Sequence, residues 1–471
     1  MTNTMSAGAL GAPVEAVNIG LEMFAESLRT SAVEVTSVGW RPSPAEVQGA
    51  LDTIAPHLGR VRVANDIVVE RLQSAEPRLV DVLVAREAID GLGERTFLHA
   101  GPPVDWADMC GPLRGAVIGA IMFEGLADDP EAAEAMAARG EVDFAPCHEH
   151  GAVGPMAGVV SPSMPMWVVD DAVHGTRGLC TLNEGLGKTL RHGAYDEGVL
   201  TRLAWMRDVL GPAVQATVRG LSAPLDLRGL AAGALQMGDE CHNRLRASTS
   251  LLLRELLPVM LEIDHPREAV IEAARFMNSN DHFGLNPIMA GAKATADAAR
   301  DVPGSSIVTA MARNGTEFGM RLSGTGDRWF TGPAGVIDGL FLPGYGPEDA
   351  NPDIGDSTIT ETVGLGAFAM AAAPAIVKFI GGRASEASLA TLAMYDATWS
   401  ESRSYQLAVL DFRGTPLGID ALEVVHSGVL PIINTGIAGR VAGTGQVGAG
   451  LTKPPMGAFT DAVTALAATF A

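Results

Sequence analysis

Basic charge is the first scarcity: 33 Lys and Arg face 55 Asp and Glu in a chain of 471 residues, a net charge of −22 at pH 7. That balance disfavours association with phosphate backbones or anionic membranes, so neither nucleic acid nor membrane is an expected partner. A small anionic substrate is not excluded, because Lys188, Arg191, Arg313 and Arg321 can oppose the global charge locally. Cysteine is sparse too. The four, Cys110, Cys147, Cys180 and Cys241, are scattered and form no CxxC pair, which points to reduced thiols in the cytoplasm rather than a disulfide scaffold. Aromatics are only 5% against 55 glycines and 28 prolines, which favours Ala/Gly-packed helices and specified turns over a β-sandwich. The most membrane-like stretch, residues 362–378, is short and carries small residues and a proline, so a buried helix is expected there. The first 16 residues lack a basic region followed by an apolar core, which argues against a secretory signal.

What is present reads as a folded enzyme-sized chain. Hydrophobic residues reach 47% and charged ones 19%, which excludes disorder and supplies a sizeable core. The fold class expected is α/β, with a small N-terminal α/β domain over 15–100. A larger mixed, helix-rich domain follows over 101–470, with a further division suggested near 245–360. Residues 14–31 read as a helix, 32–40 as an apolar strand, 44–58 and 65–75 as helices, and 78–87 as a buried strand. Further along, 128–140 reads as a helix that Asp128 or Asp129 caps, with Pro130 in its first turn. The strand candidate "MPMWVVDD" and a long helical stretch broken near Gly211–Pro212 come next. Two helices are expected within 243–277, then turns and short strands. No strand-anchored GxGxxG occurs in the N-terminal segment, and the "GTG" after Arg440 is too little for a dinucleotide site.

The residues that can carry chemistry fall chiefly in four stretches, with the polar run "NSNDHFGLNP" (278–287) adding Asn278, Asn280, Asp281 and His282 as a site element or as Asx turns. "CHEHGAVGPMAG" (147–158) sets His148 and His150 beside Cys147 and Glu149, ahead of a Gly/Pro-rich turn. Zinc accepts such donors, but the HExxH spacing is absent. The same histidines can move a proton or donate to an oxyanion, and a purely structural turn is also open. "NEGLGKT" (183–189) lacks the GxxxxGK[ST] register, so it is no nucleotide loop. Its Glu184 and Lys188 form either a surface i,i+4 pair or, if buried, an acid/base and anion-binding element. "QMGDECHNR" (236–244) concentrates Asp239, His242 and Asn243, which can orient an imidazole, hold a divalent metal or cap a helix. "ARNGTEFGMRLSG" (312–324) offers Asn314, Glu317 and Arg321 for amide and carboxylate recognition, or a salt-bridged hairpin. The proposed catalytic set is therefore His148, His150, Glu184, Asp239 and His242, and the substrate-binding set is Lys188, Asn243, Asn314, Glu317 and Arg321. No cofactor is assigned, and a divalent metal is kept as an alternative.

Taken together, "MCGPLRGAVIGA", "PCHEHGAVGPMAG", "SPSMPM", "CTLNEGLGKTLRHGAY" and "MGDECHNR" resemble the YlbE/AllG family over roughly residues 15–470. The resemblance implies a subunit of an oxamate carbamoyltransferase complex, tied in some members to anaerobic allantoin degradation. It also implies an FdrA-like partner and a small third subunit. The reaction implied interconverts oxalurate plus phosphate with oxamate plus carbamoyl phosphate. Two alternatives stay open: a noncatalytic assembly subunit of such a complex, and a metal-dependent amidohydrolase of a small ureido compound. A homo-oligomer is also compatible.

Overall fold

The computed structural model describes residues 15–19, 22–31, 33–38 and 45–471. The start of the chain, both ends of the strand expected over 32–40 and the first residue of the helix expected over 44–58 lie outside the described residues. Near the start, Glu15–Ile19 is a strand rather than the first turns of a helix. It pairs in parallel with Glu34–Val38, and Glu22–Thr30 is the helix between them. A parallel pair needs such a crossover, so the single helix expected over 14–31 divides into strand and helix.

Six small sheets, none wider than four strands, organise the described residues among helices, an α/β architecture of mixed content. In one, Pro77–Val84 pairs antiparallel with Pro165–Asp171, which pairs with Arg177–Thr181. Residues on both sides of position 100 therefore share one sheet. The helix Leu58–Ser74 likewise buries Val68 and Leu72 beside Ala299, Ile307 and Leu417.

Behind this sheet lies the helix Leu285–Ala298, nearly all of it buried. Its approach is close enough that a Cβ on Gly178 would run into the Ala290 carbonyl, which is why this strand position has no side chain. The expected Asp129 cap forms, accepting from Ala132 N–H at 2.7 Å, and Pro130 begins the helix Pro130–Ala138. At Gly211–Pro212 the long helix is not broken. A π-turn, Met206–Leu210, joins Glu197–Trp205 to Gly211–Arg219 and absorbs the proline at a turn start.

The stretch 362–378 is largely buried up to Ala373, with Pro374 and Lys378 exposed beyond it, and is not one helix. Gly364 and Gly366 take positive φ and Pro374 starts a new turn, leaving the 3-10 segment Gly366–Ala372 and the short helix Val377–Ile380. Among the described residues, no helix is long and apolar enough to cross a membrane. The remaining architecture that matters for the site is two hairpins: Val308–Asn314 with Glu317–Leu322, and Ile433–Ala438 with Gln446–Thr452.

Candidate functional site

Two of the chemistry-bearing stretches meet. In 183–193, Asn183 Oδ1 accepts from Gly185 N–H at 2.9 Å, while Glu184 accepts from the N–H groups of Leu190 (2.7 Å) and Arg191 (3.0 Å). Gly185, Gly187 and Gly193 all take positive φ, so the chain doubles back and turns Arg191 and His192 inward. Arg191 Nη2 donates to the Gly185 carbonyl at 2.5 Å, its Nε has no protein partner, and His192 Nδ1 is 2.7 Å from Thr189 Oγ1.

In 239–248 the acidic residues act as backbone clamps. Asp239 accepts from the N–H groups of Cys241 and Ser248, each at 2.8 Å, which steadies Cys241 at a φ of 64°. Glu240 Oε1 accepts from Asn243 N–H at 2.5 Å and Arg244 N–H at 2.9 Å. The turn so formed points His242 at a fully buried carboxylate, with His242 Nδ1 2.9 Å from Glu361 Oε1. Glu361 in turn accepts from Ala367 N–H at 3.0 Å. With Nδ1–H donated to this carboxylate, Nε2 is left as the basic nitrogen of the ring.

These turns border an open cleft lined by Arg191, His192, His242, Asn243, His282, Ser357 and Gln446, with Pro155, Met156, Leu186, Leu285 and Gly436 as its remaining wall. Arg191 also borders a neighbouring, mostly apolar pocket formed by Val159, Met164, Leu182, Leu190, Leu203 and Met206.

Burial pushes Arg191 down to about 10, which leaves it cationic at neutral pH. Burial, reinforced by the Arg191 charge, holds His192 well below the ordinary imidazole value and His282 at about 3. The cleft thus offers one fixed cation and neutral imidazoles, a setting suited to a small anion and to proton transfer.

The sequence candidates divide on this geometry. His242 and Asn243 line the cleft; Glu184 and Asp239 are buried just behind it as clamps, each raised by burial above the ordinary carboxylate range. His148 does not line it. Its ring is fully buried, neither ring nitrogen has a hydrogen-bond partner, and Nε2 lies 3.7 Å from Asp356 Oδ1. Asp356 accepts from Gly101 N–H at 2.8 Å and Gly154 N–H at 3.0 Å, next to the cleft residues Pro155 and Ser357.

The other candidates stand further away. His150 is half-buried on the same 3-10 turn, Cys147–His150. Arg321 pairs with Glu149 at 3.0 Å and stacks on Trp329 with its guanidinium carbon 4.3 Å from the ring centre. Lys188 is exposed, 3.9 Å from Asp196. Asn314 caps its own hairpin, accepting from Thr316 and Glu317 N–H, and Glu317 is half-buried on that strand.

Arg191 was expected only as part of a local basic pocket, and His282 belongs to the polar run "NSNDHFGLNP", open between a site element and Asx turns; His192, Glu361 and Gln446 were not among the candidates. Arg191 and His192 sit in "TLRHG", masked by the apparent phosphate loop before them, and Glu361 in "TITET" carries no local signal. Gln446 follows the "GTG" that turns a β-hairpin, so those glycines serve no strand-to-helix phosphate loop. Among the described residues, no group of three or more His, Cys, Asp or Glu is placed to hold a metal ion. All four cysteines are free; Cys147, Cys180 and Cys241 are buried, and burial raises every thiol, Cys110 to about 11.

A family profile described as "Oxamate carbamoyltransferase subunit AllG" matches residues 142–357, the segment that supplies Arg191, His192, His242, Asn243 and His282. The chain is 46% identical to the Escherichia coli (strain K12) oxamate carbamoyltransferase subunit AllG, over 86% of this chain and 98% of that protein. It is 44% identical to the uncharacterized protein YahG of the same organism, over 98% of each. A crystal structure of a conserved protein of unknown function from Enterococcus faecalis V583 superposes with a TM-score of 0.86 at 46% identity, covering 88% of this chain and 99% of that one. The chain belongs to the family of the oxamate carbamoyltransferase subunit AllG.

Proposed function

We propose that this chain is a carbamoyltransferase subunit whose cleft takes a small ureido or oxamate/oxalurate-like anion together with phosphate. One observation carries the reading: a buried arginine with an unpartnered Nε faces the same small cleft as a His–Glu pair and two neutral histidines. In the phosphorolytic direction a phosphate oxygen adds to the ureido carbonyl carbon, and the bond from that carbon to the oxamate nitrogen breaks. The proton leaving phosphate ends on that nitrogen.

Arg191 neutralises the anion, and because its side chain is buried its charge acts with little screening. His242 Nε2 takes the phosphate proton and returns it to the leaving nitrogen, while Glu361 stabilises the transient imidazolium. With Thr189 donating to Nδ1, His192 presents Nε2–H to the tetrahedral oxyanion.

An FdrA-like subunit and a small third subunit are the partners this reading brings, and the relative AllG, itself named as a subunit, supports an assembly. The test is phosphate-dependent carbamoyl transfer by the complex reconstituted with those partners. His242→Asn is expected to lower kcat by roughly 10²-fold or more. Arg191→Met is expected to raise KM for the anions. Wild-type rates in both variants would move the chemistry to the partner and leave this chain an assembly subunit.

A further inference from the structure

The Glu240 clamp does more than shape the His242 turn. Besides two backbone N–H groups, its Oε1 accepts from Asn434 Nδ2 at 3.1 Å. Oε1 already accepts from two backbone N–H groups and so acts as an acceptor in either protonation state of Glu240; this bond therefore sets the orientation of the Asn434 amide and turns Oδ1 away from Glu240. Asn434 Oδ1 is buried and has no hydrogen-bond partner; the same holds for Asn243 Nδ2. Buried polar atoms are rarely left unpaired, since each such atom loses its water without compensation.

Glu240 Oε1 holds both residues at one edge of the cleft, through Asn243 N–H and Asn434 Nδ2. Asn243 lines the cleft, and Asn434 stands two residues before the cleft residue Gly436 on the strand Ile433–Ala438, hence on the same face. One unpaired atom is a donor and the other an acceptor. A carboxylate or phosphate satisfies the donor and is repelled by the acceptor, whereas an amide satisfies both.

We infer that Glu240 holds Asn243 and Asn434 as a donor–acceptor pair that reads the amide of the substrate, Asn243 Nδ2–H binding its carbonyl and Asn434 Oδ1 accepting its N–H. This subsite rests on the proposed ureido chemistry for its substrate class and explains how the cleft tells an amide from the carboxylates and phosphate around it. A site built to accept an N–H rejects an analogue that lacks it, because the buried acceptor is then left unpaired.

Calorimetric titration of the full-length chain with oxamate and with oxalate tests the pair, since the two ligands differ at one amide. The wild-type chain is expected to bind oxamate at least roughly tenfold more tightly. Asn434→Leu should remove that preference. Asn243→Ala, whose side chain makes no bond within the fold, should weaken both ligands and keep the preference. Equal wild-type affinity for the two ligands, or a preference that survives Asn434→Leu, overturns the pair. Should Asn434→Leu fail to fold, the wild-type ratio and the Asn243→Ala signature still decide. An oxamate preference in a chain whose reconstituted complex transfers no carbamoyl group would sink the transferase reading and leave the amide subsite standing.

Discussion

His148 and His242 show how differently two buried imidazoles can be used. His242 has a carboxylate on one nitrogen and the cleft before the other, whereas His148 has no hydrogen-bond partner on either. Burial, with Lys293, Arg321 and Arg300 nearby, holds His148 well below its ordinary value, so it is neutral at pH 7. Replacing it by an apolar side chain of similar size removes no hydrogen bond. His148→Leu is therefore expected to change unfolding free energy by no more than about 1 kcal/mol in denaturant titrations, and to leave the transfer rate within a few-fold of wild type. A rate as low as that of His242→Asn would place the His148 ring in the chemistry.

Glu240 allows a pH prediction at the same scale. Burial pushes its carboxyl from 4.5 up to about 7, with Asp239 adding to the rise. A raised folded value means that the stabilising contribution is full below the ordinary carboxylate range and is lost as pH climbs through about 7. Thermal melts of wild type and Glu240→Gln should thus diverge in favour of the Gln variant between pH 5 and 7, and run parallel above. Parallel curves across the whole range would mean that Glu240 is ionised throughout.

At the scale of elements, the turn 183–193 is a part of the cleft wall held largely by side-chain clamps. Its shape depends on Glu184, which closes the turn on two backbone N–H groups, and on Asn183, whose amide bonds Asn286 at the start of the buried helix Leu285–Ala298. Leu186 is half exposed over the cleft, and Gly443 N–H of the C-terminal hairpin loop donates to Gly193 at 2.9 Å. Glu184→Ala leaves two buried N–H groups without a partner, at roughly 1–3 kcal/mol each. The expected result is faster amide exchange confined to 184–193 and a raised KM, with the pH dependence of kcat unchanged because the His242–Glu361 pair lies on other elements. A shifted pH profile would show Glu184 taking part in proton transfer.

The same scale explains which elements were legible beforehand. Asp129–Pro130 announces its helix because cap and first-turn chemistry are local. Glu15–Ile19 was misread because a parallel strand draws its hydrogen bonds from a partner more than a dozen residues away. At 206–210 the helix continues through a π-turn, which Gly211–Pro212 suggested was a break.

At the scale of the molecule, the cleft gathers residues from 155–156, 186–192, 242–243, 282–285, 357, 436 and 446, so it exists only when distant segments are assembled. A ligand there binds the folded chain and not the unfolded one. It should stabilise the whole molecule by RT ln(1 + [L]/Kd), about 2.7 kcal/mol at a hundred times Kd. Oxamate is thus expected to raise the Tm of the isolated chain in a concentration-dependent way and to have no effect on Arg191→Met; equal shifts in both would put the ligand elsewhere.

By itself the sequence determined the α/β character, the scarcity of basic charge, the helix starts that carry their own caps and, through its long motifs, the family. It also marked His242 and Asn243, because acidic and amide residues crowded before an apolar helix are a local signal. Only the tertiary structure decided that His242 faces Glu361, that Arg191 and His192 turn inward, and that His148 lies behind the wall with no hydrogen-bond partner on its ring. The reason is physical: a cap or an apolar period is written within a few residues, whereas a cleft depends on burial and on partners such as Glu361 and Asn434, 119 and 194 residues away from the groups they hold.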